Sequence, residues 1–402
     1  MTSTRSAPLL SVLHTESSCG WGGQEIRVLN EAAGMQARGH QVAIACPEHS
    51  AIFEQSRQRG LMTLAMPIER KRLPGLLALR GAFLRGPDAI GQPWQIINSH
   101  SSTDSWLSAL ALASLSHSPQ RARPTLVRTR HISAPIGRNL STRWLYGRAS
   151  AHVVTTGEAL RAQVMQQTGL PGDRVTSIPT GIDLTRFRPL EETPSQDRQL
   201  QQALRQRMGL PVDRFIIGIV ATLRSWKGHR YLVEAMQALP SAATDANTQR
   251  PFLLIVGDGP GREPLRTQIQ ALGLQQSVRM VGNQEDVVPW LQCLDVFALP
   301  SYANEGVPQA IMQAMACALP VITTNVGAIG EVASHDRTAW VVTPQSSRAL
   351  AEAIALLQAD AGLRQRLAMA GHAQATARFG QSLMLERMEQ VFRLASNARG
   401  AA

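Results

Sequence analysis

The stretch NEGVPQAIMQAMACALP places one carboxylate, that of Glu305, at the start of an apolar helical pattern. Pro308 suits the first position of a helix, so the backbone N–H groups around Gly306 and Val307 should carry partial positive charge. A carboxylate accepts hydrogen bonds from two hydroxyls, and a helix N-terminus favours an anionic oxygen. The stretch therefore predicts a site for a sugar that carries a phosphate, with the amide of Gln313 sharing that face of the helix.

Two cations follow another apolar run, in the stretch ATLRSWKGH. Arg224 and Lys227 are three residues apart, so we expect them on one side of the following turn. Cations at this place could neutralise a diphosphate leaving group. The alternative is a solvated surface role, which is the usual one for Arg and Lys. Lysine is otherwise scarce, because Lys71 is the only other lysine in the chain.

Two histidines follow apolar runs that read as strands, in the stretches LVRTRHIS and NSHSS. In open α/β sheets ligands bind just beyond the carboxyl ends of the strands, so His131 and His100 could both reach a ligand. A structural role is the alternative for each of them. His131 is the stronger candidate for a site residue.

Two glycine-rich turns are candidates for contact with a phosphate or sugar. Gly22 and Gly23 in CGWGGQE would let backbone N–H groups approach a ligand at a helix N-terminus, although a plain strand-to-helix turn explains them equally well. Gly257 lies in VGDGPGR, which is similar to a dinucleotide-binding pattern. Arg262 stands where that pattern has its third glycine or alanine, and no acid follows about 20 residues on, so NAD is not expected.

The composition favours a soluble enzyme with acidic partners. At 402 residues the chain is long enough for two domains, and 44% apolar residues suffice for packed cores. The formal charge of +11 indicates nucleic acid, an anionic membrane or phosphorylated small molecules. Nucleic acid is the weakest of these, because aromatic residues make up only 4% and no nucleic-acid-binding motif occurs.

The cysteines and the N-terminus predict a cytoplasmic protein. Cys19, Cys46, Cys293 and Cys317 are widely separated, so neither a metal site nor a disulfide framework is expected. The chain starts with an apolar run too short for a signal peptide, and it has no apolar stretch of membrane-spanning length.

Short apolar runs alternate with helical patterns along both halves of the chain, which predicts an α/β fold with parallel sheets. A polar stretch interrupts the alternation after about residue 190. We therefore predict a first Rossmann-like domain over 1–190, a linker over 191–206 and a second Rossmann-like domain over 207–378. Residues 379–402 should form a helix that packs back towards the first domain.

Nearly the whole chain resembles the retaining glycosyltransferases of family 4, through four motifs in order: GGQE, IPTGIDLTRFRP, LLIVGDGPGR and ALPSYANEGVPQAIMQAMACALPVITTNVGAIGEV. The resemblance implies the GT-B architecture, in which two Rossmann-like domains face each other across a cleft. The second domain would bind a nucleotide diphosphate sugar and the first would bind the acceptor.

The resemblance also implies roles for particular residues. The family has two glutamates separated by seven residues, of which the first contacts donor-sugar hydroxyls and the second holds the nucleotide ribose. Glu305 matches the first, but Gln313 stands at the second. His131 matches a histidine beside the donor sugar.

This chain departs from the family's phosphate-binding motif where that motif has an arginine. Lys227 matches the family's lysine, whereas Thr222 stands where the family has an arginine, and Arg224 lies two residues later. The identity of the donor is the inference that these departures affect most.

The implied reaction is transfer of a sugar to a hydroxyl of a glycan or lipid-linked acceptor, without a cofactor or an essential metal. Biosynthesis of lipopolysaccharide or another cell-surface glycan is the expected setting. Residues 67–86 mix five basic residues with Leu and Phe, as a helix on an anionic membrane would, or form a loop and a half-buried helix. The alternatives are a nucleotide-sugar epimerase of the same fold and a non-catalytic sugar-nucleotide-binding subunit.

Overall fold

The computed structural model describes residues 8–87, 93–115, 123–132, 134–190, 194–239, 250–303 and 305–400, with the side chains of 194–197 and 398–400 left out. The chain forms two compact units. Unit 1 comprises Met1–Gly181 and Gln381–Ala402, and unit 2 comprises Ile182–Gly380.

Unit 1 is built on a parallel sheet. Its strands are β1 (Ser11–Thr15), β2 (Gln41–Cys46), β3 (Met62–Ala65), β4 (Ile96–Ser99), β5 (Thr125–Arg130), β6 (His152–Thr155) and β7 (Val175–Ser177). Among the described residues these seven strands lie in the order β3-β2-β1-β4-β5-β6-β7. The register pairs Thr15 with Ser99, and Ser99 with Arg128, so the carboxyl ends of β1, β4 and β5 are neighbours.

Helices cross over between these strands and cover the sheet. They are α1 (Gly23–Ala37), α2 (Ala51–Gln58), α3 (Leu73–Arg85), α4 (Ser102–Ala113), α5 (Leu140–Trp144) and α6 (Glu158–Thr168). Helix α1 buries Val28, Leu29, Ala32 and Met35, which recur at helical spacing. Strand β1 is buried along its whole length, as expected for a parallel strand covered on both faces.

Unit 2 has a second parallel sheet. Its strands are β8 (Ile216–Val220), β9 (Phe252–Val256), β10 (Val278–Met280), β11 (Val296–Leu299), β12 (Val321–Thr323) and β13 (Trp340–Val341). Their order among the described residues is β10-β9-β8-β11-β12-β13, and every pairing is parallel. The expected α/β class with two Rossmann-like, parallel-sheet domains is confirmed.

The helices of unit 2 include the segment that the sequence predicts to be a linker. They are α7 (Pro194–Arg207), α8 (His229–Ala238), α9 (Arg262–Ala271), α10 (Val288–Gln292), α11 (Gln309–Ala316), α12 (Ser347–Ala359) and α13 (Ala361–Arg378). The predicted linker, 191–206, lies almost wholly in α7. Its Gln, Arg, Leu and Ala residues are good helix formers, so a polar composition does not prevent the helix.

The last helix, α14 (Gln381–Gly400), belongs to unit 1. Met388 and Phe392 of this helix are fully buried and join the same hydrophobic cluster as Val28 and Leu29 of α1. The chain thus leaves unit 1 after Gly181, forms unit 2 and returns at Gln381.

Candidate active site

Glu305 lies in the loop between β11 and α11, where its carboxylate is buried and held by two donors. Lys227 Nζ donates to Glu305 Oε1 at 2.6 Å, and Ser301 Oγ donates to the same oxygen, also at 2.6 Å. Within the described part of the chain, no hydrogen bond reaches Glu305 Oε2. Since Lys227 uses one of its three N–H groups on Glu305, this pair can still bind other polar groups.

Two glycines allow these loops to meet. Gly228, directly after Lys227, has φ +81°, and a Cβ there would lie 2.0 Å from the carbonyl oxygen of Pro300. Gly327 has φ +59°, and its Cβ would lie 2.1 Å from the carbonyl oxygen of Glu305. Both positions therefore require glycine for conformation and for space.

Helix α11 starts beside Glu305. Pro308 is the residue before the helix, which begins at Gln309 rather than at Pro308 as the sequence predicts. Gly306 and Val307 lie just before the helix, and their N–H groups have no hydrogen-bond partner among the described residues. Gln313, in the second turn, is half-buried.

The cations after β8 differ in their environment. Lys227 ends a short 3₁₀ turn, Ser225–Lys227, and its side chain is only 21% exposed. Arg224 is exposed, and its guanidinium lies 5.7 Å from the ring centroid of Trp226. Thr222 is also exposed. The structure thus brings Lys227, but not Arg224, into contact with Glu305.

The turn after β9 is explained by backbone packing. Gly257 has φ +134°, a Cβ there would lie 2.1 Å from the carbonyl oxygen of Ala221, and the Gly257 N–H donates to Gly282 O at 2.8 Å. Arg262 pairs with Asp258 at 2.6 Å. Because its N–H is already used, Gly257 shapes the turn and cannot also donate to a ligand from that group.

In unit 1, the glycine-rich loop before α1 is anchored by a buried acid that the sequence analysis does not single out. Gly22 precedes α1 in extended conformation and Gly23 begins it. Glu16, fully buried just after β1, accepts hydrogen bonds from Ser18 N and Gln24 Nε2 on either side of the glycines. Glu16 thereby fixes both ends of this loop.

Glu16 lies close to a second buried carboxyl, Asp104 of α4. Burial, with the charge of Asp104, raises the pKa of Glu16 to about 8. Burial also raises the pKa of Asp104, to about 6, against hydrogen bonds from Thr15 Oγ1 and the backbone N–H of His100. Asp104 has more donors, so it holds the negative charge while Glu16 keeps its proton near neutral pH.

We expect the free energy of unfolding to fall as the pH rises, because Glu16 then loses its proton inside the folded protein. A carboxyl whose pKa is raised on folding stabilises the folded state below its unfolded pKa, and this contribution is lost as the pH rises through the folded pKa. For Glu16 the loss runs from about pH 4.5 to about pH 8.

The variant Glu16→Gln should remove this dependence. Melting temperatures of the wild type and the variant, measured from pH 5 to pH 9, should diverge in favour of the variant as the pH rises. The exposed Glu48→Gln is the control and should run parallel to the wild type. Parallel curves for Glu16→Gln would contradict the assignment of the proton to Glu16.

His131, His100 and His14 form a row across the carboxyl ends of β5, β4 and β1. His131 Nε2 lies 3.0 Å from His100 Nδ1, and His100 Nε2 lies 3.0 Å from His14 Nδ1. His131 is half-buried, while His100 and His14 are buried. The register of β1, β4 and β5 creates this row, which cannot be read from the separate sequence stretches.

Most of the predicted site residues of unit 2 surround one loop cluster. Glu305, Lys227 and the start of α11 are in direct proximity, and Gln313 follows on the same helix. Ser301 completes the Glu305 contacts and is not anticipated. Its signal in the sequence is its place directly after β11, at the carboxyl edge of the sheet.

The basic segment 67–86 contains helix α3 in unit 1. Leu73 and Leu77 are 65% and 55% exposed, and Lys71 lies over the ring of Trp106 at 5.7 Å from its centroid. Leu79 and Phe83 are buried in the core. Among the described helices, none has the length and apolarity needed to cross a bilayer.

Each half of the chain matches a model of a known protein family. Residues 21–186 match the model described as Glycosyltransferase Family 4, and residues 201–374 match Glycosyl transferases group 1. The chain is 28% identical over 403 residues to a D-inositol 3-phosphate glycosyltransferase from Xylanimonas cellulosilytica, covering 94% of this chain and 93% of that protein.

A second relative matches slightly less than half of the chain. TuaC of Bacillus subtilis, assigned to teichuronic acid biosynthesis, is 34% identical over 186 residues, which are 46% of this chain and 42% of TuaC. Among solved structures, HepE of Anabaena in complex with UDP has a TM-score of 0.77 at 20% identity, covering 96% of this chain and all of that one. The protein is therefore a glycosyltransferase with the GT-B fold, built from the two domains that these family models describe.

Proposed function

We propose that this glycosyltransferase moves a sugar from a nucleotide diphosphate sugar to a hydroxyl of a glycan or lipid-linked acceptor, with retention at the anomeric carbon. The observation that carries the proposal is the contact of the partly exposed Lys227 with the buried Glu305 beside the N-terminus of α11, with no hydrogen bond from any described residue to Glu305 Oε2. HepE, which shares the fold, has been crystallised with UDP, so UDP-sugars are the first donors to test.

In this mechanism unit 2 binds the donor. Glu305 Oε2 accepts a hydrogen bond from a sugar hydroxyl. Lys227 and the N–H groups of Gly306 and Val307 donate hydrogen bonds to oxygens of the diphosphate. As the bond to the anomeric carbon breaks, negative charge grows on the leaving diphosphate, and fixed cations and N–H dipoles stabilise that charge. Lys227 supplies the positive charge in this scheme, so we expect activity to persist in EDTA.

The direct experiment combines binding and turnover. A thermal-shift panel of nucleotide diphosphates and nucleotide sugars should identify the donor, because a ligand at 100 times its Kd adds about 2.7 kcal/mol of stability. The donor found should then be incubated with glycan acceptors, and the anomeric configuration of the product read by NMR. Inversion in the product would refute retention.

Two alternatives give different outcomes in the same experiment. A nucleotide-sugar epimerase would convert the donor fully without any acceptor, whereas a transferase would show only slow hydrolysis. A non-catalytic subunit would bind the donor and leave it unchanged under all conditions. The retention of both Glu305 and Lys227, in contact with each other, speaks against the non-catalytic subunit.

Gln313 provides a test of how the nucleotide is held. If its amide contacts the ribose, Gln313→Glu should bind the nucleotide as well or up to about fivefold more tightly, because a charge-assisted hydrogen bond is stronger by about 1 kcal/mol. Calorimetric titration with UDP measures this change. A loss of binding in the variant would mean that Gln313 has a different role.

For the acceptor we propose a lipid-linked or cell-surface glycan, reached at an anionic membrane surface. The support is the similarity to TuaC over 46% of the chain and the exposure of Leu73 and Leu77 next to basic residues of 67–86. Apolar side chains flanked by cations are typical of helices that lie on anionic membranes.

Flotation with liposomes that contain anionic lipid tests the membrane contact. We expect wild-type protein to float and the double variant Arg70→Glu, Arg72→Glu to float at least about fivefold less, because each cation near such a surface contributes about 1 kcal/mol. The exposed Arg348→Glu in unit 2 is the control. Wild-type protein that stays entirely in the soluble fraction would refute the contact.

A further inference from the structure

The row of His131, His100 and His14 has a geometry that couples the three rings. Each of the two contacts is a nitrogen-to-nitrogen distance of 3.0 Å, which requires one N–H donor and one bare nitrogen. His14 and His100 stack with their ring centroids 5.3 Å apart. The hydrogen on one ring therefore dictates where the hydrogen lies on the next.

The three rings are neutral at physiological pH. Burial lowers the pKa of His14 and His100, and burial with the charge of Arg27 lowers the pKa of His131 to about 3. The charged groups that act on the row are Arg27 and Glu31, both on α1. A neutral imidazole carries a single hydrogen, so the row has two arrangements, with all hydrogens on Nδ1 or all on Nε2.

The inner end of the row decides between these arrangements. His14 Nε2 is buried and has no hydrogen-bond partner among the described residues. With all hydrogens on Nε2, His14 would bury an N–H that has no acceptor, and such orphaned donors are rare in proteins. With all hydrogens on Nδ1, only a lone pair is left unpaired.

The charged neighbours of His14 do not accept a hydrogen bond from its Nε2, which has no partner among the described residues. The oxygens of Glu31 accept from other donors, Oε2 from Arg27 Nε at 3.0 Å and Oε1 from Asn98 Nδ2 at 3.1 Å. Arg27 is a cation, and its Nη2 is also buried without a described partner. A bare nitrogen on His14 is more compatible with this cation than an N–H would be.

We infer that His100 and His14 are positioning residues, which hold His131 in the tautomer that carries its hydrogen on Nδ1. In that state the Nδ1–H group of His131 is a fixed hydrogen-bond donor, and no described residue accepts a hydrogen bond from it. The row ends inside unit 1, so it orients a hydrogen and does not conduct protons through the protein. The inference rests on the proposed function only for the recipient of this hydrogen bond, an oxygen of a bound substrate.

Nitrogen NMR of the ligand-free protein tests the inference without any substrate. With ¹⁵N-labelled histidine, the signals of His131, identified from their loss in His131→Asn, should show a protonated Nδ1 and a bare Nε2. This pattern should persist from pH 6 to pH 8.5. Protonation on Nε2, or a cationic ring in this range, would overturn the inference.

The variant His100→Phe breaks the row while keeping a planar ring. We expect the His131 nitrogen signals to move towards the average of the two tautomers, and kcat for transfer to fall about 10-fold, as for a weakened donor in the transition state. The control is His152→Phe, a buried histidine of unit 1 that bonds Thr176 Oγ1 and lies outside the row. It should leave the His131 signals and kcat unchanged.

The outcomes separate this inference from the proposed function. If His100→Phe leaves the His131 tautomer unchanged, the positioning role is wrong, whatever happens to kcat. If the tautomer is as expected in the wild type and changes in His100→Phe, but no donor or acceptor supports transfer, the positioning role holds and the proposed function fails. Should His100→Phe not fold, the wild-type NMR pattern still decides the tautomer.

Discussion

Replacing Lys227 with methionine should lower kcat for sugar transfer by about 100-fold or more. Loss of one preorganised electrostatic contact to a developing charge typically lowers kcat by about 10²- to 10³-fold. Methionine retains the length and much of the apolar stem but cannot donate to Glu305 or to a phosphate. Glu305 would keep its bond from Ser301, so the loop should stay in place.

Steady-state kinetics with the identified donor and acceptor measure this effect. Arg230→Met is the matched control, because Arg230 lies three residues further on in unit 2 and forms an exposed ion pair with Glu234. It should change kcat by less than about twofold, as exposed pairs contribute little. A Lys227→Met enzyme within about threefold of the wild type would refute the role of Lys227 at the leaving group.

Replacing Gly327 with alanine should cost about 3 kcal/mol of stability and remove most of the activity. The new Cβ would meet the carbonyl oxygen of Glu305 at 2.1 Å, and φ there is +59°. The left-handed conformation alone costs about 1–2 kcal/mol for a residue with a side chain. Relief of the clash must move Glu305, which takes its carboxylate away from Lys227.

Gly273 separates the two effects. It has φ +64°, but no atom lies within 4 Å of the position of its Cβ, so Gly273→Ala reports the backbone conformation by itself. We expect it to lose about 1 kcal/mol and no activity. Thermal unfolding and transfer rates of both variants provide the comparison, and equal losses in the two would show that the contact with Glu305 is unimportant.

The fold was predictable because apolar runs of strand length alternate with helical patterns along the chain. The two parallel sheets follow from that alternation. The boundary regions were less predictable, since the polar residues of α7 favour a helix as readily as a linker. Composition alone does not separate an exposed helix from a connecting segment.

The candidate site was predictable only in part. Glu305 and Lys227 are distant in sequence, but each follows an apolar run that predicts a strand, and the carboxyl ends of parallel strands lie at one edge of a sheet. The buried Glu16 and the contacts of His14 depend on which strands are neighbours. That information resides in the register of β1, β4 and β5, and single stretches of sequence do not contain it.

The return of the chain to unit 1 through α14 bears on how the protein emerges from the ribosome. All of unit 2 is synthesised before α14, so unit 2 can fold while unit 1 still lacks a helix. Until Met388 and Phe392 arrive, the apolar face of α1 that they cover stays open to water or to chaperones. The nascent chain thus completes unit 1 after unit 2, and loss of Gln381–Ala402 would affect unit 1 while sparing the sheet that bears Lys227 and Glu305.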